Sequence, residues 1–173
     1  MSILWCHFMV KAKHKIFVSY HHGDDQAYAD KLTSFYKKAI IDKSMKEDFS
    51  YLTNETILRK IRYDHLMDST VTIVLVGINT WGRKWVDWEI SSSLRGYGDR
   101  TINGLVGIYL PVHSGRPFRL TDNIISGYAI KIQWKDVGSD FVEAVHKAWN
   151  RRKYRPDLID KSRELRRHNA PLR

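Results

Sequence analysis

One cysteine, four prolines and no apolar run of membrane-spanning length set the first limits on this chain of 173 residues. A lone thiol, Cys6, leaves no partner for an intramolecular disulfide and suits a reducing compartment. A domain of this length buries roughly 70% of its unfolded surface, so it folds without a disulfide or metal staple. No stretch approaches the roughly 20 apolar residues that cross a bilayer, so a membrane is not an expected partner and a cytoplasmic location is. The apolar residues Met1 to Val10 precede Lys11, Lys13 and Lys15, whereas a signal peptide places its charge first. Residues 1–12 therefore read as an N-terminal extension, and translation beginning at Met9 would shorten it. There is no internal repeat or low-complexity segment, and no second domain is expected.

Several chemical signatures are also missing. There is no Gly-x-Ser-x-Gly elbow to activate a serine, no Gly-x-Gly-x-x-Gly or P-loop to cradle phosphate, and no Cys-x-x-Cys or helical His pair to hold a metal. The adjacent His21 and His22 would seldom face one ion, so neither a metal nor a cofactor is expected. A phospho-acceptor receiver needs an acidic pair after its first strand and an aspartate after its third. Those places hold Ser19-Tyr20 and Gly77-Ile78-Asn79.

Acidic residues are the scarcer charge, 19 against 29 basic ones, and the imbalance is concentrated at one end. Residues 147–173 hold ten Lys/Arg against three Asp/Glu, while the first 146 hold nineteen against sixteen. A basic tail of this kind binds nucleic acid or an acidic surface in some proteins and is a solvated helix face in more of them. No nucleic-acid motif accompanies it, so residues 153–173 are assigned as a basic C-terminal tail or helix and nucleic acid is not an expected partner.

What is present alternates. Lys15 to Tyr20 reads as a strand, followed by a turn-rich loop with an aspartate placed to cap a helix that buries Tyr28, Leu32, Phe35, Tyr36 and Ala39. Phe49 to Leu52 is a weaker strand, after which Thr53 and Asn54 cap a helix carrying Ile57, Leu58 and Ile61. Thr70 to Gly77 has the length and β-branching of a buried strand. Strands are also expected at Leu105 to Leu110 and Tyr128 to Trp134, with an irregular loop over 112–126 and a final helix from Ser139 burying Phe141, Val145, Ala148 and Trp149. Five strands alternating with helices predict an α/β doubly wound parallel sheet of flavodoxin-like order 2-1-3-4-5.

The segment Trp85-Val86-Asp87-Trp88-Glu89 opens the helix after the third strand. At 100° per residue Val86, Ile90, Ser93, Leu94 and Tyr97 form its apolar stripe, with Glu89 at the edge and Trp85 one turn earlier. This places a half-buried carboxylate beside indole rings at the carboxyl edge of the sheet, where ligands bind in such folds. The loops after strands one and three would add Ser19, Tyr20, His21, His22, Asn79, Trp81 and Lys84, with Trp85 and Trp88 as an aromatic wall for a flat cationic ring. The blander alternative has Ser19 bonded to backbone, the tryptophans packed on the sheet and Glu89 in solvent.

Ile16-Phe17-Val18-Ser19-Tyr20 followed by Asp24 resembles the first box of TIR domains, and Trp85-x-x-x-Glu89 resembles the segment carrying the catalytic glutamate in enzymatically active ones. The His-His-x-x-Asp continuation and the flanks of Glu89 look most like the TIR-like proteins of bacterial Thoeris anti-phage systems, over about residues 13–152. The resemblance implies an enzyme that cleaves NAD at the nicotinamide–ribose bond and makes a cyclic ADP-ribose isomer. NAD is then substrate rather than cofactor, and Glu89 is the catalytic residue; by their chemistry Trp85 or Trp88 would stack on nicotinamide or adenine, and Lys84 or Arg83 would meet the pyrophosphate. It further implies an effector protein reached through the diffusible nucleotide, a homo-oligomer and a phage-derived trigger. The alternative within the family is a non-catalytic interaction or sensor module.

Overall fold

Five parallel strands in the order β2-β1-β3-β4-β5 form the sheet of the computed structural model, which describes residues 14–41, 51–96, 98 and 101–172. The strands are β1 (Ile16–Ser19), β2 (Ile40–Ile41), β3 (Val71–Val76), β4 (Gly104–Tyr109) and β5 (Ile130–Gln133). The helices are α1 (His22–Phe35), α2 (Asn54–Lys60, continued by a wider turn over Ile61–His65), α3 (Lys84–Ser93), α4 (Phe118–Ile125) and α5 (Val137–Tyr154). The expected extension at 1–12, Phe49 and Ser50 of the expected second strand, and Tyr97 lie outside the described residues.

Alternation along the strands separates two packed faces. Ile16 and Val18 of β1, Ile73 and Leu75 of β3, and Val106 and Ile108 of β4 face α1 and α5, meeting Leu32, Phe141 and Val145. The opposite residues, Val74, Val76, Leu105 and Tyr109, meet Val86 and Ile90 of α3 and Leu120 of α4. Phe17 faces the same side and packs with Ile57, Ile61, Leu66 and Trp88. Both faces of the central strands are thus buried, which is why they read as unbroken apolar runs.

Three expectations are corrected. The second strand is Ile40–Ile41, paired in register with Ile16 and Phe17, and not Phe49 to Leu52; Tyr51 and Leu52 lie in a turn and bend. Two residues are too few for any periodicity to show. Phe35, expected in the core, ends α1 largely exposed, while Tyr36 stacks on Phe141 at 3.9 Å between centroids. The 112–126 stretch is not wholly irregular, because α4 begins directly after Pro117. Its buried face includes Arg119 and Asn123, polar residues that conceal the helix from a hydrophobic pattern.

Those two side chains are satisfied by the C-terminal tail. After a short turn at Pro156–Leu158, residues 159–170 run as an extended strap over α4 and α3. Asn123 bonds Asp160 twice, donating to its carbonyl at 3.0 Å and accepting from its N–H at 3.0 Å. Arg119, 2% exposed, forks onto Asp87 at 2.9 and 3.2 Å and donates to the carbonyls of Arg163 and Glu164, both at 2.9 Å. Asp87 also accepts the Arg166 N–H at 2.9 Å, and the Trp88 indole donates to the Arg166 carbonyl at 2.8 Å. Much of the strap's anchorage is through its main chain, so its basic side chains do not need to enter the core.

Arg119→Ala leaves Asp87 and two strap carbonyls without their charged donor. The expected loss is about 3–5 kcal/mol of unfolding free energy by urea denaturation, with faster tryptic cleavage between Arg155 and Arg167.

Candidate functional site

The β1 and β3 chains are neighbours in the sheet, Ser19 lying opposite Val74, and they cross over to opposite sides. Their carboxyl ends therefore flank the switch point, the natural crevice of a doubly wound sheet. Three side-chain pairs join the loops there. The Ser19 hydroxyl donates to Glu89 Oε2 at 2.5 Å, with both residues buried. Asn79 donates to Asp24 Oδ2 at 2.7 Å, and the same oxygen lies 2.8 Å from His21 Nδ1. The Thr80 hydroxyl donates to Asp25 at 2.7 Å while accepting the Gly77 N–H at 2.9 Å. Gly77 is required at this approach, because a Cβ would overlap the Asp25 carboxylate.

The acid pair Asp24-Asp25 is split by its surroundings. Hydrogen bonding from Asn79 holds the Asp24 carboxyl below its ordinary value of 3.8, against burial and with help from His21. Burial pushes the Asp25 carboxyl upward, opposed by the Thr80 bond and reinforced by the charge of Asp24.

Helix α3 is held at each end. Its first N–H, that of Lys84, has no partner within the helix and donates to Asn169 Oδ1 of the strap at 2.7 Å. Next to it, the Ala170 N–H donates to the Gly82 carbonyl at 2.9 Å and Arg83 donates to the Ala170 carbonyl. Gly82 leaves room for this, since a Cβ would stand 2.5 Å from that of Ala170. At the far end the Ser93 hydroxyl lies 2.7 Å from Thr72 of β3.

Between these anchors a cleft of about 180 Å³ is lined by Tyr20, His21, His22, Arg83, Trp85 and Glu89 among others, with Asn169 of the strap on its rim. Glu89 is 3% exposed, more deeply set than its place at the edge of the stripe implies, because β1 and its loop cover it. Tyr20 is also buried, its ring tilted against that of His22 at 4.3 Å between centroids and its hydroxyl bonded to Gln26. His21 and His22 diverge, one toward Asp24 and the other onto Tyr20.

Of the residues expected around one pocket, Tyr20, His21, His22, Trp85 and Glu89 line this cleft, and Ser19 holds the glutamate from beneath. Trp88 does not; it is 1% exposed and packs with Phe17, Ile57 and Ile61, one helical step away from the cleft. The aromatic wall is therefore Trp85 alone of that pair. Trp81 faces a neighbouring cavity, and Asn79 is consumed in joining the loops. The Lys84 ammonium lies over Trp85 and Trp88, 4.8 and 4.7 Å from their centroids. Arg83, expected with Lys84 as a group to meet pyrophosphate, also lines the cleft, whereas Asn169 was not among the expected residues. Arg83 is adjacent in sequence to the Trp85–Glu89 segment, but no local signal marks Asn169, some 80 residues away.

Two stability measurements test this network. Asn169→Ala removes the donor's partner at the start of α3 and is expected to cost about 0.5–2 kcal/mol in urea denaturation. For Asp25, whose carboxyl is raised on folding, the folded chain holds the proton longer than the unfolded one. Stability is therefore lost as pH rises from about 3.8 through the raised value. Asp25→Asn abolishes that loss, so its unfolding free energy relative to the wild type should climb across this window and then level off. Asp24→Asn should behave oppositely, lacking a contribution that the wild type holds above about 3.8 and loses as pH falls below it.

Residues 17–114 match the family model described as Thoeris protein ThsB, TIR-like domain. The match runs from Phe17 of β1 past Glu89 and β4, and stops short of α4, β5, α5 and the strap. It spans more than half of the chain, and the strand order is the one expected of that fold. The chain belongs to the TIR-like domain family of the Thoeris protein ThsB.

Proposed function

We propose that this TIR-like Thoeris protein is an enzyme that cleaves NAD at the nicotinamide–ribose bond and closes the remaining ADP-ribose into a cyclic isomer. The observation that carries the reading is Glu89, a buried carboxylate set in one orientation by Ser19 and facing a cleft beside Trp85. A non-catalytic interaction module has no need of a buried acid turned toward a cavity.

The chemistry follows from charge. When the C1′–N bond breaks, nicotinamide leaves with the bonding pair and the ribose acquires oxocarbenium character. A carboxylate already fixed beside the ribose stabilises that charge without reorganising. Trp85 supplies a flat face for the cationic nicotinamide ring before cleavage. Cyclisation then forms a new bond from a nucleophilic atom of the same molecule to C1′. A proton on that nucleophile passes to a base, for which Glu89 is the nearest candidate. A narrow cleft walled by Tyr20 and Trp85 favours this internal attack by keeping water scarce.

The cyclic nucleotide would act as a diffusible signal to a partner effector in anti-phage defence, with assembly and a phage-derived trigger controlling the enzyme. Among the described residues no helix is long and apolar enough to cross a membrane. Action within the bacterial cytoplasm fits NAD as substrate.

Glu89→Gln keeps the size of the side chain and an acceptor for Ser19, so it should fold normally. Nicotinamide release is expected to fall about 10²–10³-fold. In infected cells, a species with the mass of ADP-ribose less water should accumulate with the wild type and be absent with the variant. Retained turnover by a folded Glu89→Gln protein would overturn the assignment.

A further inference from the structure

A second cavity, of about 460 Å³, opens on the other side of Arg83, between the Thr80–Gly82 turn, the start of α4 and the strap. Pockets that enclose whole small-molecule ligands span roughly 300–1,000 Å³, so this cavity has that capacity and the Glu89 cleft has not. Arg83 lines both.

Its walls combine positive charge with aromatic surface. Arg83, Arg163 and Arg166 face it together with Trp81 and Phe118. Arg163 is ion-paired with Asp122 and lies over the Phe118 ring. Of the two acids on the wall, Asp87 is engaged by Arg119 and by the Arg166 N–H, and Glu164 is exposed. Arg83 spends two donors on the carbonyls of Asn79 and Ala170, and the Arg166 guanidinium lies 5.9 Å from the Trp81 centroid. Among the described residues no carboxylate forms an ion pair with Arg83 or Arg166. Burial and then the charge of Arg166 push the Arg83 guanidinium below its ordinary value, opposed by the charge of Asp24. Two guanidinium groups are thus held in mutual repulsion at the edge of a cavity, one on the loop before α3 and the other on the strap. An anion between them would relieve that repulsion and use their fork geometry.

We propose that this cavity binds the pyrophosphate and adenine portion of an ADP-containing nucleotide, the phosphates between Arg83 and Arg166 and the purine against Trp81 and Phe118. The assignment deepens the NAD reading of the Glu89 cleft and rests on it for the identity of the nucleotide. With Arg83 as common wall, one dinucleotide would place its nicotinamide riboside at Glu89 and its adenylate here.

Arg166 offers a clean test, because the strap is anchored at that residue through its own N–H and carbonyl. Arg166→Ala removes the guanidinium and leaves both bonds. Calorimetric titration of the full chain with ADP should show binding that weakens about ten- to a hundred-fold in Arg166→Ala and less in Arg166→Lys, which retains the charge without the fork. Binding should also weaken as salt is raised. Thermal unfolding of each variant separates loss of ligand from loss of fold. Failure of ADP to bind the wild type, or equal binding by a folded Arg166→Ala protein, overturns the proposal. Nicotinamide release read in parallel separates the two ideas. NAD cleavage with an unchanged KM in Arg166→Ala would refute this cavity alone, whereas Arg166-dependent ADP binding with no NAD cleavage under any condition would refute the Glu89 reading alone.

Discussion

The buried fork of Arg119 onto Asp87 is the constraint through which the functional half of the molecule is assembled. It joins α4 to the first turn of α3, and the spare donors of the same guanidinium seize two carbonyls of the strap. A buried arginine is costly unless every donor is matched, so its satisfaction specifies one arrangement of three segments. The carboxylate is matched as well, since it accepts from Arg166 as well as Arg119. With the strap fixed there, Asn169 reaches the start of α3 and Ala170 reaches Gly82.

The consequence for the site is positional. Glu89 lies only two residues beyond Asp87, so any shift of the first turn of α3 moves the carboxylate. Ser19 holds its side chain from the sheet, and the Asn79–Asp24 and Thr80–Asp25 pairs keep the two loops at a constant separation. Opposed shifts of the adjacent aspartates show how local this environment is. Asp24 is favoured in its charged form by a side-chain amide, while Asp25, one residue on, is buried and disfavoured in it. A preorganised carboxylate needs this kind of support, because reorganisation at the moment of bond breaking would cancel its advantage.

The strap lies outside the residues that match the TIR-like family model, yet it lines the Glu89 cleft through Asn169 and the larger cavity through Arg166. The matched portion carries the glutamate and its serine; the rest of the chain completes the walls around them. The positive charge of the tail, which in sequence suggests a solvated helix or an acidic partner, is divided here by location. Main-chain groups face the core while two of its arginines, Arg163 and Arg166, line a cavity beside the switch point.

The alternation of β-branched runs with helical periods determined four of the five strands, the sheet order and the helix that carries the glutamate, because strands buried on both faces and helices buried on one leave distinct patterns. The Trp85–Glu89 spacing was likewise legible, as one helical turn is a local property. Trp88 was not: whether an indole on α3 lines a cleft or fills the space beside Phe17 depends on α2, which sequence spacing does not locate. The brevity of β2 hid it, and the polar buried face of α4 hid that helix until the strap supplied partners for Arg119 and Asn123. Local periodicity therefore specified most of the elements and the acid, while only the tertiary structure decided what surrounds the acid. Hydrogen bonds such as Lys84–Asn169 and Trp88–Arg166 join residues about 80 positions apart, and nothing in either neighbourhood signals the other.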